Sequence, residues 1–335
     1  SILAEETADD ILTDATTWEG VGTLVFNASG NYGDNSIFKG EWALGMPHGV
    51  GTLVTAQGLY IGEFANGKRT GRGRFLSKYG DESLGEFGDE IAWGHDAGAY
   101  AGKLNGRGIE RSKVHGLTYE GDFSNGMWHG RGVLARASGD VYAGEFWQGA
   151  ISGLGMMEFA DGGEYVGEWS QDLRHGNGTM SFANGDIYEG EWANDAFSGY
   201  GEMLYVDGRV YRGLWADGLQ TERGRLIDQR TGDVFEGEMS AGRRHGFGVM
   251  HYGNGDSYVG GWLDNMRHGD AVLHYADPDE QGAGYQMLAT FMFDVARTRI
   301  SALDDPDNVT GAALFMPTVL SDPDNVAGTR WGDQA

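Results

Sequence analysis

The chain has 335 residues, a formal net charge of −26 and no cysteine. It therefore has no disulfide framework and no thiolate chemistry, and its charge opposes docking on phosphate polymers or anionic lipid. Glycine fills 59 positions. An aperiodic chain that rich in glycine would read as low complexity, so the first question is whether the glycines recur at a fixed period.

Residues 1–17 are small and acidic, with one apolar pair, Ile11 and Leu12. They read as an N-terminal arm. Ser1 stands where an initiator Met would be, consistent with trimming or with removal of a targeting peptide. The compartment stays open: cytoplasmic or cytoskeletal, or an organelle reached after that removal. No apolar run approaches the roughly 20 residues that span a bilayer. Residues 18–26 (WEGVGTLVF) read as half of a repeat, placed as an N-terminal cap.

From Phe38 the chain becomes periodic. Tyr165, Gly167, Glu168 and Trp169 are followed by His175, Gly176 and Gly178; 23 residues on come Tyr188, Gly190, Glu191, Trp192, Gly199 and Gly201. The same phase carries Tyr142 and Phe146, Tyr211 and Trp215, and Tyr258 and Trp262. Tyr, Gly and Trp alternate with polar neighbours, so they share one face of a strand. The stretch after Gly178 reads as a second strand. A polar turn over 170–174 joins the two, and Asn184-Gly185 leads into the next unit. Each unit is then a β-hairpin. Such hairpins are marginal alone and stable when stacked. Glycine between aromatics leaves a groove for a neighbouring ring.

Two units depart from the period. After Ser83, Gly85 and Phe87 the Gly pair arrives late, at Gly106 and Gly108, so the hairpin turn carries an insertion at about 88–104. That insertion brings Trp93 and Tyr100 to one edge. In the Tyr211 unit Glu222 replaces the first Gly. Beyond residue 277 the glycines thin out and proline appears. There 286–303 reads either as a degenerate capping hairpin or as an amphipathic helix. The tail holds apolar Phe315, Met316, Val319 and Leu320 between two Asp-Pro-Asp-Asn turns.

The repeated pattern Y-x-G-E-[FW]-x-x-G-x-x-H-G-x-G resembles the MORN repeat family over roughly 18–276. The resemblance implies an all-β fold: an elongated, twisted, single-layer antiparallel sheet solenoid of stacked β-hairpins, used as a scaffold or binding platform. Similar proteins anchor membranes, cytoskeletal structures or large assemblies, or carry the repeats beside an enzymatic domain. The expected division is 1–17 arm, 18–277 solenoid, and 278–335 capping hairpin and tail.

The candidate chemistry is thin. The repeated acids (Glu41, Glu63, Glu86, Asp122, Glu145, Glu168, Glu191, Glu238) recur roughly 10 Å apart, two strand spacings, too far for a proton-sharing dyad. They read as a solvated face partly paired with Arg. His48, His129, His175, His245 and His268 share one phase. The same spacing forbids shared metal coordination, so they read as packing beside the next unit's ring. No nucleophile elbow, HExxH or P-loop is present, and no Gly-x-Gly opens a helix. The Asp-Pro-Asp-Asn turns lack the terminal acidic ligand of an EF-hand. The expectation is a non-catalytic scaffold without metal or cofactor, whose ring groove takes an apolar segment of a partner or of its own tail. Partners would be other protein subunits of a larger assembly. Nucleic acid is not expected, nor direct binding to anionic membranes, while indirect membrane association is allowed. The candidate partner-binding residues are Trp93, Tyr100, Phe315, Met316, Val319 and Leu320. The alternatives are a peripheral lipid-binding module and a regulatory accessory subunit of an enzyme or membrane complex.

Overall fold

The computed structural model describes residues 19–26, 35–88, 103–276 and 285–302, with side chains described to 296 and not at 285. The chain divides into two compact units, Ser1–Arg230 and Thr231–Ala335. The first holds β1 (Gly20–Phe26), β2 (Ser36–Ala43), β3 (Met46–Thr55), β4 (Gly58–Ala65), β5 (Lys68–Ser77), β6 (Glu82–Phe87), β7 (Leu104–Ser112), β8 (Leu117–Ser124), β9 (Met127–Ala135), β10 (Val141–Trp147), β11 (Ala150–Glu158), β12 (Glu164–Ser170), β13 (Leu173–Ser181), β14 (Ile187–Ala193), β15 (Ala196–Leu204), β16 (Arg209–Ala216) and β17 (Leu219–Asp228). The second holds β18 (Asp233–Ser240), β19 (Arg243–His251), β20 (Ser257–Leu263), β21 (Met266–Tyr275), β22 (Tyr285–Met292) and β23 (Val295–Ala302). Within each unit every strand pairs antiparallel with the next. The fold is all-β, a stack of hairpins in each unit, as the period predicts.

The turn inside each hairpin is tighter than the polar stretch 170–174 suggests. Only Gln171 and Asp172 lie between β12 and β13, at φ 50° and 65°. Asn194 and Asp195 repeat this at 50° and 68°. Two successive left-handed residues make the turn whose twist matches paired strands. Residues 285–302 form β22 and β23, so the capping hairpin holds there and the helical alternative does not. Their pairing keeps Ala289 and Phe291 buried where the glycines have gone.

The core is a ladder of rings on one face. Tyr165 meets Trp169 of its own strand edge-on at 5.0 Å and Trp192 of the next hairpin at 5.2 Å. Tyr142, Phe146, Tyr188, Trp192, Tyr211, Trp215, Tyr258 and Trp262 continue this pattern in their own units. Each Tyr of this set is 0% exposed and each Trp at most 6%. Edge-to-face pairs of this kind each add about 0.5–1.5 kcal/mol beyond area burial.

Candidate interaction face

Two glycines of each unit do different work. In β13, Gly176 and Asn177 fall in a register shift opposite β12, because Gly167 pairs with Gly178 while Glu168 pairs with His175. Gly176 sits at φ 57°, the left-handed region a bulge needs. Asn177 N–H, left unpaired by β12, donates to Glu168 Oε1 at 2.9 Å. The same bond joins Val50 N–H to Glu41, Arg72 to Glu63, Arg131 to Asp122 and Tyr200 to Glu191. These repeated acids are therefore caps on a bulged backbone. Among the described residues the expected Arg pairing reaches one of them, Asp122, which meets Arg107 at 3.5 Å. The second glycine, Gly178, is the seat of the Tyr165 ring, whose hydroxyl donates to Glu168 O at 3.0 Å. Trp169 Nε1 donates to Gly155 O of the preceding hairpin.

The rings are not an open groove, contrary to the sequence expectation. A second row of side chains covers them from within the repeats. Arg174 lies 4.4 Å over the Trp192 ring, Trp128 stacks on Tyr119 at 4.9 Å, and Phe197 stacks on Tyr188 at 4.0 Å. All three hold the same phase, two residues before the bulge glycine. Where Ser83 stands in the Tyr phase, Leu104 fills the seat against Gly108 and is 4% exposed. The turn phase is polar for a similar reason. Asp195 Oδ1 accepts from Arg174 N and Nε, and Asp172 Oδ1 accepts from Ile151 N.

What the first unit leaves uncovered is the opposite, outer face. A groove of about 590 Å³ runs across β6–β10 on a floor of glycines. Leu84, Ile109, Glu120 and Val133 form one wall and Arg107 and Arg131 the other. Leu84 and Val133 are 40% and 45% exposed. The floor follows from the period: Gly85 pairs with Gly108, Gly108 with Gly121, and Gly121 with Gly132. Glu120 interrupts the aliphatic wall, and on the other wall Arg107 pairs with Asp122 at 3.5 Å, so the trough offers an extended segment aliphatic contact beside mixed charge. Each residue of this groove was in plain view in the sequence. What hid it is register, since only the pairing brings Leu84, Ile109 and Val133 alongside.

Histidine at the repeated phase does pack on rings in two cases. His129 lies 4.7 Å from Trp147, and His268 lies 5.2 Å from Phe293. Among the described residues no group of three or more His, Asp or Glu could hold a metal ion. No described helix is long and apolar enough to cross a membrane. Trp93, Tyr100, Phe315, Met316, Val319 and Leu320 lie outside the described residues. The ends of the inserted turn are described, and there Gly88 N–H donates to Lys103 O at 3.2 Å.

Stacked hairpins with a ring seat, a bulge glycine and a capping acid define a β-repeat protein. The MORN repeat description matches eight segments (38–59, 60–81, 119–141, 142–164, 165–187, 188–208, 235–257 and 258–277), more than half of the chain. The chain belongs to the MORN repeat family. The unmatched units are the one with the insertion and the one where Glu222 takes the bulge position at φ 53°. The chain is 32% identical over 118 residues to the ALS2 C-terminal-like protein of Bos taurus, covering 35% of this chain and 11% of that one. It is 32% identical over 101 residues to Alsin of Homo sapiens, covering 30% of this chain and 6% of Alsin. The match thus spans about a tenth or less of these relatives. The TCP10 domain of Danio rerio CPAP, solved with a peptide of STIL, covers 77% of this chain and 95% of that one at 12% identity and a TM-score of 0.32. The Drosophila melanogaster SAS-4 TCP domain covers 48% and 79% at 14% identity and a TM-score of 0.28.

Proposed function

We propose that this MORN repeat protein is a non-catalytic scaffold that docks protein segments of a larger assembly on its outer face. The observation that carries the reading is the groove over β6–β10. It pairs aliphatic Leu84, Ile109 and Val133 with Arg107 and Arg131 on a chain whose net charge is −26. An exposed aliphatic row flanked by mixed charge suits an extended, partly apolar partner segment. The inserted turn with Trp93 and Tyr100, and the tail with Phe315, Met316, Val319 and Leu320, supply further anchors for the same assembly.

The test compares affinity purification of the native assembly with wild-type chain and with Ile109→Asp plus Val133→Asp. Both positions are on the outer face, so melting should hold while partner recovery falls. Unchanged recovery would overturn the groove as the docking site. Vesicles of phosphatidylserine and phosphatidylcholine provide the second arm. Saturable binding at physiological salt would favour a lipid-binding module instead.

A further inference from the structure

A regular spacing is built into both walls of the outer groove. Arg72, Arg107 and Arg131 each stand between the two glycines of β5, β7 and β9, and all three are exposed. Their places align, since Gly73 pairs with Gly85, Gly85 with Gly108, Gly108 with Gly121 and Gly121 with Gly132. On the other wall, Ile109 of β7 and Val133 of β9 both pair with Glu120 of the strand between them. Aliphatic contact and guanidinium donors thus recur once per hairpin, two strand spacings or about 9.6 Å apart.

We propose that the groove takes a polyproline-II segment of a partner, running across the strands, with an apolar residue at every third position. The inference rests on the outer groove being the docking site, and adds the conformation and period of what docks there. Polyproline II has three residues per turn and rises about 9.3 Å in that turn, so one turn matches one hairpin. Its residues i and i+3 lie on one side, against Ile109 and Val133. Its backbone makes no internal hydrogen bonds. Carbonyls on its other side therefore accept from Arg107 and Arg131, and from Arg72 one hairpin back. Arg107 is free to turn: its pairing with Asp122 at 3.5 Å leaves the side chain 89% exposed, and surface pairs of that kind are weak. Donation to carbonyls also suits walls of mixed charge, because it asks for no net charge on the partner.

Other conformations fit worse. An extended strand returns to the same side every two residues, about 6.7 Å, and falls out of step within one hairpin. It also finds no free edge, since β6 to β10 are each paired on both sides. An α-helix is about 10 Å across. The walls are set by residues i and i+2 of one strand, such as Arg107 and Ile109, about 6.7 Å apart.

The test uses the full chain with isotope-labelled Ile, Leu and Val methyls. The probes are two capped peptides of equal length, one of Leu-Pro-Pro repeats and one of Leu-Pro-Pro-Pro repeats. Both favour polyproline II, but in the second successive leucines turn to different sides. The expected result is saturable shifts at Leu84, Ile109 and Val133. Ile187 and Leu204, exposed on the same face farther along the unit, should not move. The Leu-Pro-Pro peptide should bind at least about tenfold more tightly than the other, and Arg107→Ala with Arg131→Ala should weaken it while melting holds. It should also release the partner that the wild-type chain recovers from the native assembly. Equal binding of the two peptides, shifts that spare the groove, or no binding overturns the inference. If Ile109→Asp with Val133→Asp still lowers partner recovery in that case, the groove stands as a docking site and only its polyproline-II occupant falls. If recovery is unchanged as well, both fall.

Discussion

The ring of Tyr165 occupies the space a Cβ on Gly178 would need, overlapping it at the hydroxyl oxygen, Cζ and Cε2. The bulge glycine two residues earlier faces something softer: what a Cβ on Gly176 would meet first is the carboxylate end of Glu168. Gly178→Ala must push a fully buried ring off its seat and break the Tyr165 bond to Glu168 O, at a cost of about 3 kcal/mol. Gly176→Ala turns the carboxylate off the exposed Asn177 N–H and adds left-handed strain, together about 1–2 kcal/mol. Glu222 already bears a side chain at that phase. Urea unfolding of the two variants measures the difference, and equal losses would refute the separate roles.

Trp169→Ala should destabilise its region by about 3–5 kcal/mol, since it leaves a cavity between the rings of Tyr142 and Tyr165 and frees Gly155 O. Repeat stability is a nearest-neighbour sum, so faster hydrogen exchange should concentrate in β10–β13. Uniform loosening from β1 onward would contradict a ladder of local contacts.

High pH should melt the ladder sharply. Burial pushes the Tyr60 and Tyr119 phenols from 10.0 up to about 12. The same burial raises Tyr142, Tyr165, Tyr188, Tyr211 and Tyr258. The unfolded chain releases these protons first, so their contribution is complete below pH 10 and is lost as pH rises from 10 through 12. The share of phenolate absorbance due to these seven tyrosines should lag to above pH 10 and then rise together with loss of strand circular dichroism. A titration of all the tyrosines completed near pH 10 with the fold intact would count against buried phenols.

The period was enough to read hairpins, ring phase and the identity of the core, because side chains alternate by two along a strand whatever their neighbours do. It was not enough to read Glu168. Simple alternation puts that carboxylate in solvent. Only the two-residue shift at Gly176 and Asn177 leaves a backbone N–H beside it. The open ring groove failed for a related reason. Arg174 is polar in sequence, yet its guanidinium carbon lies 4.4 Å over the Trp192 ring and closes the face. The outer groove needed strand pairing across five strands, information that a single repeat does not contain.

The Arg174 position supplies the last expectation, since chemically unlike residues hold its phase. Trp128 and Phe197 stack on the Tyr rings there, Ile151 is 1% exposed, and Arg174 stacks on Trp192 while bridging to Asp195 at 2.9 Å. Shape over the ring is the common feature, and charge is not. The ion pair is partly exposed, with side chains 20% and 42% accessible, so it is worth at most about 1 kcal/mol and salt should screen it. Arg174→Phe should therefore hold stability within about 0.5 kcal/mol. Arg174→Ala uncovers the ring and should lose about 1–2 kcal/mol. Arg174→Glu should lose more, since it faces Asp195 with like charge. Melting in low and high salt separates the terms. If high salt removes most of the gap between the wild-type chain and the Arg174→Ala variant, the pairing with Asp195 outweighs the stack and the covering role is wrong.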